Sequence, residues 1–323
     1  MDREKSMKNH FCHLPRKPLF LDYYLSSIKP GTISYQNNIG PSGGNAIDKR
    51  ANLSMLKSFS ESLDRRSPIF GYNNKKSIEA YDIVTNSLCK IKKEQFSLNN
   101  DPNSYKDTTG TAAHTVGNLA VYNSLQELFQ KNALALIWYS RRVYKRKFKG
   151  FDLLVNTDFF PMYHTLILVD LDGRSCFGMG SSVNFEKAYQ KAFEEALLLL
   201  YENAHAEFLF HGRNRLSYQL ADEKQKSYFN SLLEDANEYL FEKSDKSKED
   251  YWINELIPHW VRHIYVSLLP NEYNTLFKVV KLYSPDLFAS LPYKTIVLEA
   301  KDKKILEFIN KEELAEVPDI PNL

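Results

Sequence analysis

Glycine is scarce in this chain: 12 of 323 residues, about half the roughly 7% of ordinary proteins. Backbone wraps a phosphate closely only where a side chain is missing, so a nucleotide site here must be built mostly from side chains. Neither GxxxxGK nor GxGxxG occurs, which takes away the P-loop and the Rossmann fingerprint. Cysteine is sparse as well. Cys12, Cys89 and Cys176 are odd in number and share no CxxC spacing, which argues against a disulfide framework or a cysteine-rich zinc site and for a cytoplasmic location. No apolar run reaches membrane-spanning length, and the start, MDREKSMKNHFCHLPRKPLFLDYYL, lacks the apolar core of a signal peptide. An excess of one charge is missing too: 42 basic and 40 acidic residues leave +2, too balanced for a protein that covers nucleic acid. Neither membrane nor nucleic acid is therefore expected as a partner.

What is present reads as a globular α+β chain, with 43% hydrophobic and 25% charged residues. Residues 1–35 are basic and proline-punctuated and are expected to form an irregular arm, with one domain over 36–323. Leu53, Leu56, Phe59 and Leu63 recur at helical spacing between about Ile47 and Arg66, so they predict a helix with that face buried, ended by Pro68 and Gly71. Thr115 is a fitting N-cap for a second helix towards Ser140, and Asn184 for a third, carrying Ala188, Ala192, Ala196 and Leu199 up to about Phe208. Between them FDLLVNTDFF and YHTLILVDLDG predict antiparallel strands, and HIYVSLL, LFKVVKLY and KTIVLEA predict further strands near the end. The charged run Glu242–Asp250 reads as a solvated loop.

Several apparent motifs fail on their context. Gly40-Pro41-Ser42-Gly43-Gly44 spells GxSxG, but the half-polar ISYQNNI before it is not the buried strand a nucleophile elbow requires. His259 and His263 lack the glutamate of HExxH, and His10, Cys12 and His13 lack a fourth ligand. The basic and aromatic stripe Arg141–Lys149 suits single-stranded nucleic acid or an acidic peptide, yet with +2 overall it reads better as a solvated basic face. A stronger signal is the recurrence of acidic and amide residues on three helices. Glu61 and Asp64, three apart, share one helical face and could share a divalent cation. Asn123, Glu127 and Gln130 make a polar stripe on the second helix, and Glu194 and Glu195 fall in the third. Solvated surface faces would give the same periodicity.

Four blocks in this order resemble the YcaO family, most closely its azoline-forming cyclodehydratases of the microcin and thiopeptide type. They are Ser42-Gly43-Gly44-Asn45 with SMLKSFSESLDRR, then DTTGTAAHTVGNLAVYNSLQELFQKNALALIWY, then GMGSSVNFEKAYQKAFEEAL, and last VVKLYSPDLFASL around Lys281. Together they span about residues 38–323. The resemblance implies a YcaO-like α+β fold with mainly antiparallel sheet layers, and ATP and magnesium held on acidic helix faces without a glycine loop. It implies Ser42, Glu61, Asp64, Arg65, Asn123, Glu127, Gln130, Lys131 and Glu195 as the ATP-binding set, with Glu61, Asp64, Glu127 and Glu195 as metal ligands. The implied reaction starts when a Cys, Ser or Thr side chain of a ribosomal precursor peptide attacks the preceding amide carbonyl. The oxyanion takes the γ-phosphoryl group of ATP, and loss of phosphate leaves a thiazoline or oxazoline. A sulfide nucleophile in the same chemistry would give a thioamide.

The chain departs from the family pattern at Gln130, Lys131 and Asn132, where Glu, Arg and Asp are usual, at Asp64 for Glu, and at the ending PDIPNL. A neutral amide is a weaker magnesium ligand than a carboxylate. These departures set a second expectation beside the active enzyme, a degenerate, non-catalytic homologue that scaffolds the same biosynthetic complex. Expected partners are the precursor peptide, a leader-binding protein, since the first 35 residues are too few for a leader-binding domain, a flavin dehydrogenase, and a second copy as a homodimer. The purified chain alone should therefore give little cyclisation in a precursor assay, with recovery when the leader-binding partner is added.

Overall fold

The computed structural model describes residues 11–16, 22–31, 34–35, 38–39, 43–70, 76–98, 106–171, 173–204, 220–240, 250–270 and 276–323. Ser42, His10 and the run at 241–249 lie outside them. The chain divides into two compact units. The first holds residues 1–128 and 263–284, the second 129–262 and 285–323.

In the first unit a helix, α1 (Ala51–Phe70), lies between two antiparallel sheets. One has three strands, in the order Phe11–Arg16, Tyr24–Lys29 and Gly44–Asp48. The other has five, in the order Ser87–Lys92, Ser77–Asp82, Tyr265–Leu269, Lys278–Tyr283 and Thr111–His114. Towards the five-stranded sheet α1 offers Leu63, with Phe59 at the edge, against Ala113, Leu269 and Val279. Its other buried face is polar. Ser54, Ser58 and Ser62 are fully buried, whereas Leu56, expected on the buried stripe, is 48% exposed. The Ser58 hydroxyl donates to the Gly44 carbonyl (2.7 Å) and accepts from the Ile28 N–H (3.0 Å). Ser54 donates to the Ala46 carbonyl (3.0 Å). Hydroxyls replace leucines there because the strand backbone comes too close for larger groups: a Cβ on Gly44 would stand 2.5 Å from the Ser58 carbonyl oxygen.

The second unit is built on a five-stranded sheet, in the order Arg174–Ser182, Tyr163–Leu171, Phe151–Asn156, Tyr144–Phe148 and Asn237–Glu238. Every pair is antiparallel except the last. A helix, α3 (Phe185–Ala204), covers one face, with Ala188, Ala192 and Ala196 against Leu153, Val155, Ile167 and Cys176. As expected, Asn184 caps it, its side-chain oxygen accepting from the Lys187 N–H (3.0 Å). The other face meets the second half of α2 (Gly117–Ser140), where Trp138 sits edge-on to Phe177 and Phe129 stacks on Phe159. Residues 133–139 of α2 are buried all round, as a helix enclosed by protein requires. Among the described residues no helix is long and apolar enough to cross a membrane.

Three expectations are corrected. Residues 1–35 are not irregular throughout, since two strands of the three-stranded sheet stand there, paired Phe11 with Lys29. The segment KTIVLEA is a helix, Lys294–Glu299, rather than a strand. Its β-branched residues favour a strand, but a distant carboxylate, Asp319 Oδ1, accepts the Lys294 N–H (2.9 Å) and caps the first turn. Pro68 lies inside α1, which runs on to Phe70, rather than ending it. The basic stripe stays partly to fully exposed along its length, as a solvated face does, with Arg141, Arg142 and Lys149 paired to Asp235, Asp158 and Glu186.

Glycine at 178 and 180 lets α3 rest directly on its sheet, since a Cβ on Gly180 would fall 2.0 Å from the Ala188 carbonyl oxygen. Gly180→Ala should therefore lower unfolding stability by about 1–3 kcal/mol, as overpacking does elsewhere, read as a lower urea midpoint.

Candidate functional site

In the first unit the expected carboxylates Glu61, Asp64 and Glu127 come together from two helices, beside one strand. Strand Thr111–His114 is fastened to α1 by the Ser60 hydroxyl, which donates to the Ala113 carbonyl (2.6 Å). Beside that contact α1 presents Glu61, Asp64 and Arg65. Arg65 Nε donates to Glu61 Oε1 at 2.5 Å. From the first half of α2 comes Glu127, whose Oε2 accepts the Thr111 N–H (3.0 Å). Asn123 stands one turn before Glu127 on α2 and is half-buried.

Asp64 is the unusual member. Its Oδ1 is cut off from solvent and has no hydrogen-bond partner, although the Ala113 backbone donates to the carboxyl. Burial, then the charges of Glu61 and Glu127, push its pKa well above the ordinary 3.8, against smaller lowering by Ala113 and Arg65. A carboxylate among carboxylates, with one orphaned oxygen, is the electrostatic setting a cation relieves. Lys281 Nζ lies fully buried nearby in the same unit, donating to the carbonyls of Asp107 (2.6 Å) and Thr109 (3.1 Å). Burial lowers its pKa to about 8, in opposition to the Asp107 and Glu127 charges. Among the described residues no group of three or more His, Cys, Asp or Glu is placed to hold a metal ion.

In the second unit the expected residues enter a different arrangement. Gln130 Nε2 donates to the Met179 carbonyl (3.0 Å) and to Glu195 Oε2 (3.3 Å). Its Oε1 accepts from the Ser181 hydroxyl (3.2 Å), which also meets His164 Nδ1 (2.6 Å). The Met179 carbonyl can only accept, so it fixes which end of the amide is nitrogen. With its proton directed to Gln130, Ser181 accepts from His164, whose buried Nε2 has no partner. Burial pulls the His164 pKa down to about 3, keeping the ring neutral. Lys131 turns to the Leu323 carbonyl (3.3 Å), and Asn132 pairs with the backbone of Phe288 through both ends of its amide.

Thus the structure gathers Glu61, Asp64, Arg65 and Glu127 in one unit and Gln130 with Glu195 in the other, while Lys131 is engaged elsewhere. Sequence reasoning gave no role to Thr111, His164, Ser181 or Lys281. Only Lys281 left a trace, a lysine in the middle of the apolar strand VVKLY.

No protein-family model matches the chain, and no curated protein matches it. Solved structures do. YcaO from Methanopyrus kandleri, bound with AMPPCP and Mg2+, aligns at TM-score 0.65 and 12% identity over 87% of this chain and 86% of that one. The E. coli microcin synthetase McbBCD complex aligns at TM-score 0.66 and 14% identity, over 100% of this chain and 99% of that one. A heterocyclase in complex with substrate and cofactor aligns at TM-score 0.60 and 11% identity, over 95% of this chain and 54% of that one. The fold is therefore that of the YcaO proteins, mixed helix and antiparallel sheet, as the motif blocks implied.

The raised pKa of Asp64 has a stability consequence. Between 3.8 and its folded value the folded protein holds a proton that the unfolded chain releases, so stability falls as pH rises through that window. Without divalent cations, Asp64→Asn should melt higher than the parent at pH 7–8, and the difference should shrink towards pH 4. Thermal melts in EDTA across that range read it directly.

Proposed function

We propose that the protein is an ATP-dependent cyclodehydratase subunit, converting Cys, Ser or Thr of a ribosomal precursor peptide into thiazoline or oxazoline. The observation that carries this reading is the orphaned Asp64 Oδ1 in the field of Glu61 and Glu127. Holding like charges together without a counter-ion is costly, and a magnesium–nucleotide complex would supply one. Magnesium, when bound, offsets triphosphate charge and polarises the γ-phosphoryl group. On this reading Asp64, Glu61 and Glu127 hold the metal, and Arg65, Asn123 and Ser42 meet phosphate or ribose. Nucleotide binding by Gln130 and Lys131, and metal binding by Glu195, are separate proposals for the second unit. Support comes from the nucleotide and magnesium bound to the M. kandleri protein, and from the microcin synthetase structure with pro-MccB17 bound, which aligns at TM-score 0.59 and 16% identity.

The chain's own part in the reaction is electrostatic and positional. Glu61, Asp64 and Glu127 would hold the nucleotide's metal, which would offset the triphosphate charge, while the thiol or hydroxyl of the peptide attacks the preceding amide carbonyl and the resulting oxyanion takes the γ-phosphoryl group. A precursor peptide, a leader-binding protein, a flavin dehydrogenase and a homodimer partner belong to this reading, as does a cytoplasmic setting.

One observation favours a second reading, a non-catalytic scaffold. Both ends of the Gln130 amide are engaged within the protein, by Met179, Glu195 and Ser181. Phosphate release with ATP, magnesium, precursor and partner protein separates the readings. The cyclodehydratase should release phosphate only when the precursor is present, and Glu61→Ala should lower the rate at least about 100-fold, the scale of a lost electrostatic contact to the transition state. Equal release from parent and Glu61→Ala would end the catalytic reading.

A further inference from the structure

Lys281 sits in the strand Lys278–Tyr283 between Val280 and Leu282, and none of its side chain is exposed. An ammonium in such a place gives up its hydration, so an apolar side chain of equal length would fill the volume more favourably. What lysine adds is three donors and, in its ammonium form, a positive charge. All three donors are directed into one short turn, to the Asp107 carbonyl at 2.6 Å, the Thr109 carbonyl at 3.1 Å and Thr111 Oγ1 at 3.4 Å. The turn is held from other sides as well. Asp107 Oδ1 accepts the Thr109 N–H (2.7 Å), and the carbonyl of Gly110, a residue at φ +75°, accepts from the Leu282 N–H (2.7 Å) and from the Ser124 hydroxyl. It ends at Thr111, the strand partner of Lys281, whose N–H donates to Glu127 Oε2 (3.0 Å). The ammonium thus holds the turn along its length, and the Glu127 carboxylate meets it at its last residue, Thr111.

We propose that Lys281 is a positioning residue, which clamps the turn Asp107–Thr111 so that the Thr111 N–H fixes the orientation of the Glu127 carboxylate beside Asp64. The inference rests on the reading of that carboxylate group as a magnesium–nucleotide site. It adds a residue that touches neither metal nor nucleotide yet sets the geometry of a ligand. Removing the ammonium leaves two carbonyls and a hydroxyl without their donor and frees the Thr111 amide to move.

The test uses the full chain and Lys281→Met, with two readouts. Amide hydrogen exchange over residues 107–111 should speed up by at least about tenfold, the loss of one charge-assisted hydrogen bond. The Mg2+ concentration for half-maximal AMPPCP binding should rise by a similar factor, about tenfold, while AMPPCP binding in EDTA and the far-UV circular dichroism stay unchanged. Should Lys281→Met fail to fold, Lys281→Gln, which keeps two donors without the charge, should show the same two changes to a smaller degree. Unchanged exchange overturns the proposal. So does faster exchange with an unaltered Mg2+ requirement, since that is a purely structural lysine. A parent protein whose AMPPCP binding ignores Mg2+ would defeat the nucleotide-site reading instead, leaving exchange alone to decide the clamp.

Discussion

Like-charge repulsion among Glu61, Asp64 and Glu127 is the constraint around which the first unit is arranged. Glu61 keeps part of its side chain in water and pairs with Arg65, whereas Asp64 Oδ1 is cut off from solvent. The strand Thr111–His114 is fastened to α1 through Ser60 and reaches α2 through the Thr111 N–H, so both helices are tied to the same piece of sheet. Asp64 Oδ1 is buried without a hydrogen-bond partner, and burial together with its acidic neighbours raises the pKa of the carboxyl. The rigidity of α1 is what sustains this. It has apolar contacts on one side and buried serine hydrogen bonds on the other, so neither face can slip without losing contacts of a different kind.

The scarcity of glycine takes on a sharper meaning in the structure. Gly44, Gly178 and Gly180 lie where a helix backbone presses on a strand, and their missing Cβ atoms make room for carbonyl oxygens of the protein itself. At these three positions glycine serves helix-on-sheet contact. The acidic faces are accordingly side-chain sites, and their electrostatics come from where helices are allowed to approach.

Gln130 shows how one residue type can redirect a local network. Its amide nitrogen bridges the Met179 carbonyl and Glu195, while its oxygen draws the Ser181 proton and so assigns His164 its tautomer. A carboxylate at 130 could not donate to either acceptor, and Glu195 would face a second negative charge. The amide therefore makes the contact between α2 and α3 self-sufficient, with neutral groups from Glu195's partner inwards to the buried imidazole.

Much of this was legible in the sequence because it depends on local period and composition. The helices over Ala51–Phe70, Gly117–Ser140 and Phe185–Ala204, the Asn184 cap, the alanine face of α3 and the placing of Glu61 and Asp64 on one helical face follow from spacing along the chain. Apolar periodicity could not show that α1 buries Ser54, Ser58 and Ser62 in place of Leu56, because a serine counts as buried only once a strand supplies its partners. Nor could it show that Lys294–Glu299 is helical, since Asp319 caps it from 25 residues away. Lys281 is the extreme case: in the sequence it interrupts an apolar strand, and only the turn folded over it gives that charge its oxygens. By itself the sequence determined which residues share a helix face; the tertiary structure decided which carboxylates meet and which charges are buried, because those depend on partners that are distant in the chain.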